Sequence, residues 1–199
     1  MYFDSHAHYS DPQFDKDREA LLASLAQEGV EGVVECASDF QSAERVLELT
    51  QAYDFIYGAV GVHPEAVRDL EVEDMSMLYS MIASSEKTVA VGEIGLDYHY
   101  KENAAPGVQQ EWFIEQIELA KELELPVIVH SRDAAQDTFE ILRDYDGAMF
   151  GGVLHRICGD GAPVCGNGIL SGNRRDGDLY QRKKNSGSGG RNPAGASFD

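Results

Sequence analysis

The sequence predicts an α/β protein: a TIM-type (β/α) barrel, incomplete, with about six of eight βα units and an irregular C-terminal tail. Three observations carry the prediction. Apolar, β-branched runs alternate with helix-length amphipathic stretches through residues 1–155, the rhythm of βα units around a parallel sheet. No glycine-rich phosphate fingerprint opens the first unit, which favours a barrel over an open doubly wound sheet. The histidines fall at strand ends, where a parallel barrel keeps its chemistry.

The elements follow in order. Tyr2–His6 reads as the first strand and Asp15–Glu28 as an amphipathic helix with Leu21, Leu22 and Leu25 on one side. Val30–Cys36 is the second strand, Ser42–Ala52 the second helix, Phe55–Val62 the third strand and Glu73–Ser84 the third helix. Thr88–Leu96, the long helix Val108–Glu124 and Pro126–His130 come next. Ala134–Tyr145 and Ala148–His155 give the last helix and the sixth strand. Residues 1–155 are thus expected to be a partial barrel domain, and 156–199 a disordered or out-of-frame tail. That tail holds 10 of the 20 glycines and no glutamate, and it lacks apolar periodicity of helix length.

A chain of 199 residues, 43% hydrophobic and 26% charged, is long enough for one domain with a sizeable core. No run approaches the roughly 18 apolar residues of a membrane span, and no signal peptide precedes the first strand. A cytoplasmic location without membrane attachment is expected. Cys36, Cys158 and Cys165 form no CxxC pair and no disulfide framework, in keeping with a reducing compartment. Residues 1–155 carry nine basic against 31 acidic groups, whereas 156–199 carry seven Lys/Arg against four Asp. So acidic a body repels a phosphate backbone, which argues against a basic nucleic-acid groove.

Candidate ligands stand at successive strand ends. His6 and His8, two apart on an extended strand, share a face. Strand three ends in Gly61-Val62-His63-Pro64-Glu65 and strand four contains Gly92-Glu93-Ile94-Gly95-Leu96-Asp97. Strand five ends in His130-Ser131-Arg132-Asp133 and strand six in His155. Several histidines converging on one rim point to metal. Glu93, inside an apolar strand, would be costly if buried unpaired. A salt bridge to Arg132 would satisfy it structurally. Functionally, it would bridge two cations, one held by His6 and His8, the other by His130 and His155. Such a pair, about 3.5–4 Å apart, suits phosphoryl transfer. The donors suit zinc or manganese, or magnesium if oxygens and waters contribute.

FDSHAH, GVHPE, AVGEIGLDYHY, PVIVHSRDA and GVLH, in this order and spacing, resemble the TatD family of metal-dependent deoxyribonucleases, as does the helix QQEWFIEQIELAKELELP. The resemblance runs from residue 2 to about 155. It implies an amidohydrolase-like barrel that is cytoplasmic and cleaves DNA phosphodiesters from the 3′ end, with a water activated by two metals (Mg, Mn or Zn). Under it, His6 and His8 hold the first metal, Glu93 bridges and takes part in catalysis, and His130 and His155 hold the second. His63 contacts the scissile phosphate as a catalytic and substrate-binding residue, and Asp4 orients the ligating histidines. Arg132 becomes a substrate-binding residue and Asp97 a supporting one, although a turn role accounts for Asp97 equally well. The partner implied is a DNA single strand or 3′ end, with no obligate protein partner.

After GVLH the family continues with two more βα units and a final metal-site aspartate, which this chain lacks. Back-translation with free synonymous codons, minus one nucleotide just after codon 155, opens a frame reading GFAGTA, EMGFYLGIGGTVTF, NAKK and IPLERLL. These strings resemble the family's continuation. Residues 156–199 are therefore expected to be an out-of-frame product, and the chain as written to close no barrel and to have impaired activity. Two other readings stand beside this one. One is a related hydrolase of phosphotriesters, lactones or amides, in which a carboxylated lysine often takes the place of Glu93. The other is an inactive truncated fragment.

Overall fold

The computed structural model describes residues 2–145, 151–155 and 168–171. Among the described residues, seven strands form one sheet in sequence order: β1 (Tyr2–Ala7), β2 (Val30–Cys36), β3 (Ile56–Val60), β4 (Thr88–Asp97), β5 (Val127–Arg132), β6 (Gly151–His155) and β7 (Gly168–Ser171). The first six pair in parallel, as the βα rhythm predicts. The seventh was not expected. It lies in the stretch read as an irregular tail and runs antiparallel to β6, so it does not continue the barrel's parallel order.

Helices α1 (Arg18–Leu25), α2 (Phe40–Ala52), α3 (Val72–Ala83), α4 (Pro106–Glu122) and α5 (Ala135–Asp144) connect the strands. Local turn and cap contacts set where the first two begin. The helix read as Asp15–Glu28 is shorter, because Pro12–Phe14 forms a 3-10 turn ahead of it, closed by the Asp11 side chain on the Gln13 amide. Conversely, α2 begins two residues earlier than its apolar pattern suggests. Asp39 accepts from the Ser42 amide while the Ser42 side chain caps the Asp39 backbone, a reciprocal pair that starts the helix at Phe40.

The main core joins sheet to helices. Val60, Val91, Val127 and Val129 of the strands pack with Val46, Leu78, Phe113 and Ile117 of the helices. A smaller cluster of Val34, Cys36, Ala59, Ala90 and Ile128 is drawn from strands alone. Leu22 ties α1 to Ala7, Val33 and Ile56. Among the described residues no helix is long and apolar enough to cross a membrane.

Two breaks in the parallel register matter for the site. Pairing of β1 with β2 shifts between Asp4 and Ala7, and pairing of β4 with β5 shifts between Val91 and Ile94. His6 lies within the first irregular stretch and Glu93 within the second. Local irregularity re-aims a side chain out of the regular alternation of a strand.

Candidate metal centre

His6 and His8 project from the end of β1 with their Nε2 atoms 3.0 Å apart. Glu93 Oε2 completes a triangle with them, 3.1 Å from His6 Nε2 and 3.4 Å from His8 Nε2. Donors about 2.1 Å from one cation stand about 3.0 Å apart at right angles and about 3.4 Å apart at the tetrahedral angle. The triangle therefore fits a single first-row ion in both size and chemistry. Backbone contacts prepare it. His8 Nδ1 meets the Cys36 carbonyl at 2.9 Å, which makes Nδ1 the donor and leaves the Nε2 lone pair facing the triangle. Asp4 Oδ1 accepts the backbone N–H of His6 at 3.2 Å, so it orders the chain that carries the ring.

Glu93 is 3% exposed and its two oxygens face opposite ways. Oε2 serves the β1 histidines, while Oε1 meets His130 Nδ1 at 3.1 Å. His63, Glu93 and His130 form a second group of donors that could hold a cation, all three buried. The flanking glycines let Glu93 sit so deep. At Gly95, φ is +139° and a Cβ would collide with the His130 carbonyl; at Gly92 it would press on Ile128. The salt bridge to Arg132 does not form: histidines satisfy Glu93, and the Arg132 guanidinium stacks on the Tyr100 ring instead, 4.6 Å from its centroid.

His130 is held from both ends, its Nε2 lying 3.0 Å from Asp97 Oδ2. Asp97 is fully buried and also accepts the His99 amide on Oδ1. One side chain thus closes a local turn and meets His130 at once. Two glutamines on one face of α4 fix the backbone around the second group. Gln109 accepts the Asp97 N–H and donates to its carbonyl; Gln116 does the same for Val62, next to His63. Sequence reading missed both glutamines. Their spacing of seven residues puts both on one helix face, but nothing in the sequence marks that face as buried at those positions.

Burial alone would push Glu93 up, but hydrogen bonds from His130, His6 and His8 outweigh it and hold the carboxyl far below the usual range. The partners move the other way. Burial would lower His8 and His130, yet the hydrogen bond and charge of Glu93 leave both above the ordinary 6.5. His63 differs: burial and the neighbouring His130 lower it to about 4. It is neutral at pH 7, and its Nδ1 accepts the Glu65 N–H at 3.3 Å. The ring proton therefore sits on Nε2, as a donor.

These groups open into a cavity of about 680 Å³, lined also by Arg45, Tyr100 and Arg132. A second cavity, between α3 and α4, is lined by Tyr79, Glu118 and Lys121 and lies away from the histidines. His155 stands beside His130 in the β5–β6 register; its side chain lies outside the described residues. The sequence reading thus placed His6, His8, His63, Glu93, Asp97 and His130 in what proves to be one cluster.

A family profile described as "TatD related DNase" matches residues 3–166. The chain belongs to this family. It is 40% identical over 159 residues to the uncharacterized metal-dependent hydrolase YabD of Bacillus subtilis, covering 80% of this chain and 62% of that protein. With the 3'-5' ssDNA/RNA exonuclease TatD of Pectobacterium parmentieri it shares 30% identity over 159 residues, 79% of this chain and 60% of the relative. Among solved structures, the TatD homologue YjjV of Escherichia coli superposes with a TM-score of 0.72 at 34% identity, over 80% of this chain and 61% of that one. The TatD-family chain thus spans about six-tenths of the length of these relatives. The profile match runs to residue 166, past the point just after codon 155 where a frame change is expected.

Proposed function

We propose that the site is that of a hydrolase which cleaves nucleic-acid phosphodiesters at a 3′ end, using two divalent cations (Mg, Mn or Zn). One observation carries the reading: Glu93 offers one oxygen to His6 and His8 and the other to His130. A buried carboxylate so divided is the geometry of a bridge. The printed name of the Pectobacterium relative, a single-strand exonuclease, supports the substrate class.

The chain's own groups take defined parts. His6 and His8 would hold the first cation, and His130 with His155 the second. Bound there, two cations would supply an activated water and offset charge on the attacking and leaving oxygens. His63, neutral and carrying its proton on Nε2, donates a hydrogen bond to a phosphate oxygen. Asp97 holds His130 in orientation, and Arg132 with Tyr100 forms a cationic, aromatic wall on which a terminal nucleotide can rest. An acidic body tolerates this substrate because a strand end is gripped at the cation pair, not along a basic face.

Residues 156–199 belong to the same proposal as an out-of-frame stretch. The test compares two proteins, this chain and the product of the gene with one nucleotide removed after codon 155. Each is given a 3′-labelled single-stranded oligonucleotide with Mn²⁺ or Mg²⁺. Expected is nucleotide release by the corrected protein, abolished by Glu93→Ala, and little release by the 199-residue chain. No release by the corrected protein sinks the substrate reading. Equal release by both sinks the tail reading.

A further inference from the structure

Glu35 is a carboxylate with no place in the chemistry above, and it is completely buried on β2. It faces the segment that follows His6 and His8. Its Oε1 accepts the Ser10 N–H at 2.6 Å. The next residue, Cys36, carries the carbonyl that holds His8 Nδ1 at 2.9 Å. One dipeptide therefore grips both sides of the turn: the carbonyl takes the His8 ring and the carboxylate takes the chain two residues on.

Two arginines from separate helices close on the same turn. Arg18 of α1 donates Nε–H to the Tyr9 carbonyl at 2.6 Å and Nη2–H to the Ser10 and Asp11 carbonyls at 3.2 and 3.0 Å. Arg45 of α2 reaches the Ser10 carbonyl at 3.3 Å. Ser10 is thus held by an anion at its N–H and by two cations at its carbonyl, and the residue itself is buried. Five charge-assisted hydrogen bonds on three consecutive residues exceed what an ordinary surface turn needs. A buried carboxylate is also costly where a valine, like its neighbours Val33 and Val34, would satisfy the strand. The arrangement has a purpose other than packing.

We infer that Glu35, with Arg18 and Arg45 completing the clamp, is a positioning residue for the metal ligand His8, fixing the turn so that the His8 Nε2 meets Glu93 without rearrangement. This rests on reading His6, His8 and Glu93 as a metal site, and it is independent of the nucleic-acid substrate. His8 needs such support more than His6 does, because its side chain is 38% exposed against 3%. A half-exposed ring retains freedom that binding would otherwise have to freeze.

Zinc titrations of the full chain test this, using wild type, Glu35→Leu, Glu35→Gln and His8→Ala, with binding followed calorimetrically and folding by circular dichroism. His8→Ala identifies the binding step that depends on that ligand. Expected is that Glu35→Leu weakens this same step by about 10–100-fold, the usual effect of losing a supporting partner, and leaves any other step within about threefold. Glu35→Gln, which keeps an acceptor for the Ser10 N–H, should restore the step to within about threefold of wild type. A Glu35→Leu protein with unchanged affinity overturns the inference. So does one that loses all steps alike or fails to fold, since either makes Glu35 a general structural residue. Wild type that takes up no zinc overturns both this inference and the metal-site reading beneath it.

Discussion

On the β1 side of Glu93, Oε2 meets two histidines from one strand, one of them 38% exposed in its side chain. On the β5 side, Oε1 meets His130, only 7% exposed, in a pocket shared with His63 and Asp97. The supports differ as much as the exposure. A backbone carbonyl sets His8, whereas a buried carboxylate sets His130 and two helix glutamines pin the strand ends beneath it. One half opens to solvent at His8 and the other is built into the core. Where a ligand is exposed, the chain fixes it through the backbone turn behind it. Where it is buried, every polar atom around it must be paired in advance, because an unpaired one costs about 1–3 kcal/mol.

Removing the shared carboxylate should have the largest effect. Glu93→Ala takes an oxygen from both halves at once, so every zinc-binding step should weaken by more than about 100-fold, beyond the loss from an outer partner. It should also return His8 and His130 toward ordinary titration, followed by proton NMR of the imidazoles. If only one step weakens, the halves do not share Glu93.

Asp97→Asn separates the halves. It leaves His6 and His8 untouched and removes the charge on His130 Nε2. The β5-side step should weaken by about 10–100-fold with the β1-side step unchanged. Equal weakening of both would contradict the division.

The next effect is on stability. Gln116→Leu leaves the Val62 N–H and carbonyl without partners at a buried position, so unfolding free energy from urea titration should fall by about 2 kcal/mol. A loss below about 0.5 kcal/mol would mean the β3 end is held by other contacts.

The response to pH draws a contrast inside the β5 half, between His130, which moves with His8, and His63. His8 and His130 lie above 6.5, so the stability they lend the metal-free fold is full below about pH 6.5 and is lost as pH rises through their raised values. Zinc affinity should strengthen over that same rise, with protons released. His63 has the opposite sign. Lowered to about 4, its contribution is complete above about pH 6.5 and disappears as pH falls toward 4. A His63 resonance titrating near 6.5 would break this contrast.

Much of this was legible in the sequence because it is periodic or local. The six parallel strands follow from apolar runs spaced by helices, and the candidate donors follow from histidines at strand ends. What escaped was of another kind. Gln109 and Gln116 look like surface amides on an amphipathic helix until tertiary contact shows both buried against backbone. Glu35 sits in an apolar strand as Glu93 does, yet Glu93 has Gly92 before it and Gly95 two residues on to advertise a special backbone, and no glycine lies within two residues of Glu35. Arg132 was the obvious cation for Glu93, but its position at the very end of β5 turns it outward onto Tyr100. Antiparallel β7 carries no apolar alternation long enough to announce itself.

The bridging role of Glu93 is tested most directly by electron paramagnetic resonance of the protein with two equivalents of Mn²⁺. A carboxylate shared between two ions couples their spins, so an exchange-coupled pair spectrum is expected, lost in Glu93→Ala. Two independent Mn²⁺ signals in the wild type, or uptake of a single uncoupled ion, would contradict a shared carboxylate.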